Sequence, residues 1–383
     1  MAGRRLAQGG FLLLTLVGVF LVGGNAERWC PFGGVEALFT YVSGGNMLCS
    51  LAVSNFFILG GVLLSALILR RAFCGYACPI GTVSEWVRMG GARLGLRELR
   101  PGRPLDIALS TLKYGVLAVV ITLTWRAGEL VFRGFDPCYA LIGRHGEDIT
   151  FWAYVVSGGI LFGSLIFSLP FCRWLCPLAA VLNPFSRFGL GRVTRDTAAC
   201  KECGKCAQAC PMGIPVDRLE QVTEARCTAC LECIECCPTR DKGALRLRLP
   251  GTGRRSLRPV SVAVVLVTIL GVAVAAAQLS PIPSFRWTRG EPAAGAAELR
   301  LRIDGLTCRG RANLLVYFLD RDDDLALDGA IALDAWPEPG TARAQITYDA
   351  NATDVDTIRD AITEPYYDRR MATWRLSPFA IER

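Results

Sequence analysis

Long apolar runs alternate with short arginine-rich connections through most of the chain. Four of the runs have about the ~20 residues that an α-helix needs to cross the hydrocarbon core of a bilayer. They occupy residues 51–69, 107–125, 151–171 and 259–277. A shorter run at 10–24 is either a cleaved signal peptide or, as we prefer, an uncleaved first helix. The pattern predicts a multi-pass helical membrane protein.

The distribution of arginine predicts how the chain crosses the membrane. Residues 70–106 contain seven arginines, whereas 126–150 contain three and 25–50 contain one. Because positively charged loops remain in the cytoplasm, we expect the amino terminus, 70–106 and 172–258 to be cytoplasmic. The other connections, and the chain beyond about residue 280, then lie outside.

The two halves of the membrane region repeat one arrangement. Each half has an outward loop with a cysteine, a spanning helix, and then Phe-Cys-x-x-x-Cys-Pro on the inner side. The first half runs from Cys30 to Cys78 and the second from Cys138 to Cys176. Repeats in transporters often share a site at their interface. We therefore predict a two-repeat, four-helix core within residues 1–190.

The carboxy-terminal part has a different pattern. Residues 298–305 and 342–349 alternate between apolar and polar side chains as strands do, and 354–362 has helical spacing behind an aspartate. We predict an additional transmembrane helix at 251–280. A small periplasmic α+β domain with the ferredoxin-like βαββαβ order is predicted at 281–383, beginning with a linker rich in proline, alanine and glycine.

Composition directs attention to cysteine. The chain is 52% hydrophobic, as a membrane protein requires, and has 17 cysteines but one histidine, His145. Nine cysteines lie between Cys200 and Cys237, in a segment predicted to be cytoplasmic, which favours metal or cluster ligation over disulfides. The single histidine argues against bis-histidine haem and His-rich zinc sites. The net charge of +8 is modest and clustered, so we interpret it as an orientation signal and not as a nucleic-acid surface.

The densest cysteine segment, within a predicted domain at 191–250, has the spacing of a bacterial two-cluster ferredoxin. The pattern Cys-x2-Cys-x2-Cys-x3-Cys-Pro occurs twice, and in such pairs the fourth cysteine binds the other cluster. The predicted ligands are Cys200, Cys203, Cys206 and Cys237 for the first [4Fe-4S] cluster, and Cys227, Cys230, Cys233 and Cys210 for the second. Paired zinc sites are the alternative, which two complete copies with both prolines disfavour. Cys236 is spare.

The two Cys-x3-Cys-Pro motifs predict a third iron–sulfur centre at the cytoplasmic membrane surface. If each motif is helical, residues i and i+4 present both sulfurs on one face. The four candidate ligands are Cys74, Cys78, Cys172 and Cys176. A thiol–disulfide relay and a structural turn with inert cysteines are the alternatives.

Cys30 and Cys138 occupy equivalent outward-facing positions in the two halves. They form a structural disulfide, an outer redox or metal-binding pair, or unpaired thiols. Glu36 and Lys113 lie at membrane depth, where ionisable residues are functional candidates, although Lys113 could also snorkel to the surface.

Together these motifs resemble the polyferredoxin membrane proteins, which include NapH, NosR and CcoG. The resemblance covers about residues 25–245, with "CPFGGVEALF" and "FDPCYALIG" as further marks of the four-helix core. It implies a protein of the bacterial inner membrane that moves electrons between a cytoplasmic or quinol donor and a periplasmic redox protein or reductase. The CcoG branch implies the alternative, a copper reductase or a metalloenzyme assembly factor.

The sequence also departs from these relatives. We expect no flavin-attachment domain, and the carboxy-terminal domain faintly resembles a heavy-metal-associated domain instead of an immunoglobulin-like tail. The metal loop of that family has two cysteines, whereas this chain has Cys308-Arg-Gly-Arg311, so we expect a docking role. A non-redox membrane regulator is a further alternative. The partner, the electron direction and whether the protein is an enzyme remain open.

Overall fold

The computed structural model divides the chain into two compact units. It describes residues 2–21, 29–44, 46–47, 51, 53–128, 130–143, 150–250, 256–280, 282–290, 295–321, 327–337, 342–368 and 373–382. The core unit comprises Met1–Glu36 and Ser54–Leu279, and the carboxy-terminal unit comprises Ala37–Val53 and Ser280–Arg383. The second unit thus differs from the predicted domain at 281–383 by including residues 37–53. His145 lies outside the described residues.

The core unit is mostly helical. Its helices are α1 Ala2–Leu16, α2 Pro31–Glu36, α4 Ser54–Leu69, α5 Ala72–Tyr76, α6 Pro79–Arg93, α7 Arg103–Ala127, α8 Pro137–Ile142, α9 Phe151–Ile166, α10 Pro177–Arg187, α11 Lys205–Gln208, α12 Glu232–Glu235 and α13 Pro259–Leu279, with α3 Leu38–Gly44 in the other unit. Single turns of 3-10 or π-helix occupy Val17–Leu21, Val131–Phe135, Phe171–Leu175 and Val216–Arg218. Strands β1 Arg192–Arg195 and β2 Leu245–Arg248 pair antiparallel.

Three described helices are long and apolar enough to cross a membrane. They are Gly3–Leu21, Arg103–Ala127 and Pro259–Leu279. At the predicted spans 51–69 and 151–171 the structure has the shorter helices α4 and α9, of 16 residues each. At 1.5 Å per residue each is about 24 Å long, less than the ~30 Å hydrocarbon core. The predictions of membrane helices are thus confirmed at coarse level, with two spans shorter than expected.

The prediction that each Cys-x3-Cys pair shares one helical face was wrong. Cys74 lies in α5, but Cys78 is extended (φ −67°, ψ 119°) and precedes α6. Cys172 lies in a π-helical turn, and Cys176 is likewise extended (φ −63°, ψ 116°) before α10. The following prolines explain both breaks, because proline disfavours the helical conformation of the residue before it while suiting the first turn of a helix.

The ferredoxin segment, predicted as a separate domain at 191–250, shares its hydrophobic core with the membrane helices. Leu69 and Tyr76 of the first repeat, Leu266 of α13, and Ile214 and Leu247 of the ferredoxin segment are all buried in one cluster. The two parts therefore pack as one body.

The carboxy-terminal unit is an α+β fold around one antiparallel sheet. Its elements are β3 Phe285–Thr288, β4 Ala296–Asp304, α14 Arg309–Leu319, β5 Ala330–Trp336, β6 Arg343–Asp349, α15 Val355–Thr363, β7 Tyr366–Asp368, β8 Thr373–Arg375 and β9 Ala380–Ile381. The strand order is β3-β5-β6-β4-β9, with β7 and β8 forming a separate hairpin. β4 and β6 lie where alternation predicted strands, and β6 buries Ala344, Ile346 and Tyr348 because successive side chains point to opposite faces.

Residues 37–53 join this unit by backbone contacts. The Met47 amide donates to the Ser284 carbonyl at 2.9 Å, and the Asn46 side-chain oxygen accepts from the Arg286 amide at 2.8 Å. The segment that follows α2 is therefore fastened to the start of β3.

We expect Gly305→Ala to destabilise the carboxy-terminal unit by about 1–3 kcal/mol. Gly305 has φ +86°, and a Cβ there would lie 2.1 Å from the Pro378 carbonyl oxygen. Limited proteolysis of the full chain should detect faster cleavage in this unit. Gly290→Ala is the matched control, because a Cβ at that position meets nothing within 4 Å. Equal protease resistance of the two variants would contradict the prediction.

Candidate functional site

Two small cavities in the ferredoxin segment are each lined by four cysteines. One is lined by Cys200, Cys203, Cys206 and Cys237. The other is lined by Cys210, Cys227, Cys230 and Cys233. Each cavity thus takes three cysteines from one motif and the last cysteine from the other. This grouping matches the ligand sets predicted from spacing, and those assignments remain predictions.

The first cavity is more accessible than the second. Cys203 is exposed, and Cys200 and Cys237 are half-buried. The second cavity is also lined by Met212 and Ile214, and burial raises the pKa of Cys210 to about 12. An unliganded Cys210 would therefore be protonated at neutral pH, and binding a metal would require release of that proton.

The two cysteine loops have the same backbone shape. Glu202 and Gly204 have positive φ in the first loop, and Ala229 and Leu231 have positive φ at the equivalent positions of the second. Three of these residues are not glycine, so each adopts a conformation that costs of order 1–3 kcal/mol and recurs at functional sites. The Glu202 amide donates to Cys200 Sγ at 3.4 Å, as a loop that wraps around sulfur ligands would do.

Among the described residues, no three His, Cys, Asp or Glu side chains are grouped to hold a single metal ion. Cys308, at the start of α14, likewise belongs to no such group within the part of the chain that the structure describes.

The four cysteines of the Cys-x3-Cys-Pro motifs, which we call the core cysteine site, gather inside the core unit. Cys74 and Cys172 are buried. Burial, together with charge on Cys78, Cys176 or Cys74, raises the pKa of Cys172 well above its ordinary value, so the four thiols lie within electrostatic range.

Cys30 and Cys138 lie beside this site and not at a separate one. Burial, Asp136 and then charges on Cys30, Cys78 and Cys176 raise the pKa of Cys138. Cys30 packs in a cluster with Leu178 of α10, which also packs on the cluster around Cys74. Both thiols are free of disulfides in the structure. The sequence predicted an inner site of four cysteines and a separate outer pair. In the structure the outer pair lies beside the core cysteine site.

The loop that lines the second cavity lies directly on the first Cys-x3-Cys-Pro motif. The Arg71 amide donates to the Cys227 carbonyl at 3.2 Å, and Tyr76 Oη donates to the Ala229 carbonyl at 3.4 Å. Gly75 permits the approach, because a Cβ there would lie 2.8 Å from the Thr228 carbonyl oxygen. The second cavity is therefore next to the core cysteine site.

Two buried groups of ion pairs, which we call the ionic clamps, stabilise the contact between the ferredoxin segment and the Cys-x3-Cys-Pro motifs, which we call the junction. Asp106 of α7 accepts from Arg173 Nη2 at 2.6 Å, from Trp174 Nε1 at 2.9 Å and from Arg226 Nη1. Arg4 of α1 pairs with Glu85 and with Glu232 of α12, at 2.5 Å in the latter case, and donates to the Gly75 carbonyl. The clamps join helices, motifs and ferredoxin segment.

Sequence reasoning missed these charged residues and the role of Arg71. Arginines at 70–106 were counted only as orientation signals, although Arg70 and Arg71 are fully buried. An available signal was the position of Arg71 two residues before Phe73, where the first Phe-Cys-x-x-x-Cys-Pro motif begins. Glu36 and Lys113, predicted candidates, are both buried: Glu36 accepts from Thr124 Oγ1 at 3.5 Å, and Lys113 Nζ donates to Ser110 Oγ at 2.9 Å.

We expect Asp106→Asn to cost about 3–5 kcal/mol of stability, because it removes the carboxylate that pairs with buried Arg173 and one of the two carboxylates that pair with Arg226. Thermal unfolding of the purified protein in detergent measures this loss. Asp241→Asn is the control, because its side chain is 96% exposed and lies 4.0 Å from Arg240. A melting temperature equal to that of the control would show that the clamp contributes little.

We expect Cys237→Ser to remove about four of the roughly eight irons of the ferredoxin segment, or to convert that cluster to a degraded form. Cys236→Ser, one residue away, should retain them all, because Cys236 Sγ donates to the Lys205 and Cys233 carbonyls instead of lining either cavity. Iron and acid-labile sulfide analysis measures both. The ligand assignment fails if the two variants lose equal iron, or if Cys236→Ser alone loses it.

Family comparisons agree with the location of these cysteines. Residues 51–97 and 149–195 each match a family described as "4Fe-4S binding domain", and residues 192–243 match a "4Fe-4S dicluster domain". The first two segments contain the Cys-x3-Cys-Pro motifs, and the third contains both ferredoxin motifs. No solved structure matches this chain significantly.

Several curated proteins are similar to the chain. YccM of Escherichia coli, provisionally named an electron transport protein, is 30% identical over 71% of this chain and 79% of its own length. The ferredoxin-type protein NapH of Haemophilus influenzae is 29% identical over 39% of this chain and 50% of its own. Protein NirI of Paracoccus denitrificans is 28% identical over 44% of this chain, but only 26% of its own length is covered.

Proposed function

Because the chain belongs to the polyferredoxin-type 4Fe-4S family, we propose that it connects a redox partner on one side of the membrane with one on the other. The chain is an iron–sulfur electron-transfer protein with two [4Fe-4S] clusters and membrane helices. When bound, each cluster supplies a one-electron carrier. The residues of the chain bind these clusters, exclude water from them and hold them next to one another along the proposed electron path.

The observation that carries the proposal is the contact between the second cysteine loop and the first Cys-x3-Cys-Pro motif. Backbone hydrogen bonds join Arg71 to Cys227, and Gly75 allows Thr228 to approach. The accessible cavity with Cys203 then serves the soluble partner, and the buried cavity faces the core cysteine site. This order follows from burial alone and leaves the direction of electron flow open.

The core cysteine site, in this proposal, holds a third iron–sulfur centre. The burial of Cys74 and Cys172 and the match of both motifs to a 4Fe-4S family support it. The buried guanidinium of Arg71 beside the site, which forms no ion pair among the described residues, fits an anionic group there. Cys138, within electrostatic range of Cys30, Cys78 and Cys176, and Cys30 itself add two sulfur groups to those of the core cysteine site. A thiol relay at these residues is the alternative.

We place the ferredoxin segment in the cytoplasm and the carboxy-terminal unit in the periplasm of a bacterial inner membrane. The arginine distribution supports this orientation. Residues 37–50 and the chain beyond residue 280, both predicted to lie outside, belong to one compact unit, which supports their lying on one side of a membrane. The carboxy-terminal unit then docks a periplasmic redox protein or reductase, and the donor is cytoplasmic or a quinol. A copper reductase or a metalloenzyme assembly factor is the alternative to this proposal.

Gly75→Ala tests the junction. The added Cβ must displace the Thr228 backbone, so we expect a loss of about 1–3 kcal/mol in stability and slower electron delivery to the core cysteine site. The rate is measured by rapid-freeze EPR, or by thiol labelling, after a membrane-impermeant reductant reduces the ferredoxin segment. Gly90→Ala in α6 is the matched control, since its Cβ meets nothing within 4 Å. Equal delivery rates in the two variants, with intact ferredoxin clusters, would refute the proposed path.

A further inference from the structure

We infer that Arg71 is the buried counter-ion of the core cysteine site and that its positive charge sets the reduction potential of the group bound there. The inference deepens the proposed function and rests on its third iron–sulfur centre. Arg71 is thus a positioning and tuning residue, since it acts on the site through charge and hydrogen bonding.

The guanidinium of Arg71 is aimed into the site. The residue is 0% exposed. Its Nη2 lies 3.2 Å from the Cys172 carbonyl oxygen and 3.9 Å from Cys74 Sγ. Its Nη1 donates to Asn183 Oδ1 at 3.4 Å, whereas its Nε has no hydrogen-bond partner in the part of the chain that the structure describes. Arg71 therefore spans the two Cys-x3-Cys-Pro motifs.

No described carboxylate neutralises this charge. Arg71 forms no ion pair in the described part of the chain, and the nearby Asp106 already pairs with Arg173 and Arg226. Lys113 adds a second buried cation within electrostatic range of both Arg71 and Cys176. A buried charge without a counter-charge is unfavourable, so an anion is needed to compensate it. Cys74 Sγ, 3.9 Å from Arg71 Nη2, belongs to the set of sulfurs that would carry negative charge as ligands of the group bound there.

The neighbouring arginine shows that burial alone does not produce this arrangement. Arg70 is also 0% exposed, but its guanidinium donates to the carbonyls of Gly191 at 2.8 Å and of Ser186 and Glu224 at 3.2 Å. Arg70 thus ties backbone segments together. Its φ of +58° turns the chain, so that adjacent side chains diverge and only Arg71 reaches the cysteines.

A fixed positive charge beside an electron carrier stabilises the reduced form, which carries one more negative charge. Hydrogen bonds to sulfur and net charge also tune iron–sulfur potentials. The Arg71 amide meanwhile bonds the Cys227 carbonyl of the second cysteine loop. Arg71 thus contacts both the second cysteine loop and the core cysteine site. We expect loss of its charge to make the group at the core cysteine site harder to reduce.

The test is an EPR-monitored redox titration of the full-length protein, with iron analysis, on three variants. Arg71→Gln removes the charge, and we expect a lower potential for the third centre or loss of about four irons. Arg71→Lys retains the charge and should restore most of the iron and the potential. The signal is assigned as the one absent from Cys74→Ser/Cys172→Ser.

Asn183→Asp separates tuning from a structural role. This isosteric change puts a carboxylate beside the guanidinium, and Tyr114, which now accepts from Asn183 Nδ2 at 2.8 Å, can donate to it instead. A merely structural Arg71 would gain an ion pair and leave the potential unchanged. The inference requires a shift to lower potential, because the new anion neutralises the counter-ion. This variant decides the question if Arg71→Gln does not fold.

Controls separate the inference from the proposed function. Arg97→Gln removes an exposed arginine and should shift nothing. About twelve irons in wild type, with unchanged third-centre potentials in Arg71→Gln and Asn183→Asp, would overturn the inference alone. About eight irons in wild type would remove the third centre and the inference with it. Absence of the ferredoxin signals would overturn the proposed function itself.

Discussion

The Cys-Pro peptide units at Cys78 and Cys176 determine the course of the backbone around the candidate site. Because proline excludes a helical residue before it, α5 cannot run on into α6, and Cys78 leaves the helix in an extended conformation. At the other end of α5, the Arg71 amide donates to the Cys227 carbonyl of the ferredoxin segment. The second Cys-Pro unit, at Cys176, repeats the extended conformation before a proline.

Buried ion pairs then make the packing of the ferredoxin segment against the Cys-x3-Cys-Pro motifs specific. Burial of Arg4, Asp106 and Arg173 would be unfavourable for each residue singly, and the fold compensates each charge with a partner from another segment. The clamps therefore form only when helices, motifs and ferredoxin segment are all in place. Arg71 differs from these charged residues: its Nη2 lies 3.9 Å from Cys74 Sγ, and among the described residues it forms no ion pair.

The two units have different relationships to known proteins. The matched families cover segments of the core unit and leave residues 280–383 unmatched. The core unit thus carries the shared electron-transfer machinery. The carboxy-terminal unit has a complete core of its own around Leu315, Phe318 and Ile346, which suits a module that can vary with the partner.

The sequence by itself determined the cofactor class, because Cys-x2-Cys-x2-Cys-x3-Cys-Pro is a local spacing that only a few cofactors satisfy. It also determined the membrane helices, since length and hydropathy are local properties, and the strands at β4 and β6, since alternation is local too. Only the tertiary structure decided that Cys138 lies within electrostatic range of Cys30, Cys78 and Cys176, that α4 and α9 are short, and that Arg71 reaches Cys74 and Cys172. These features depend on long-range packing between segments up to a hundred or more residues apart, which no local pattern encodes.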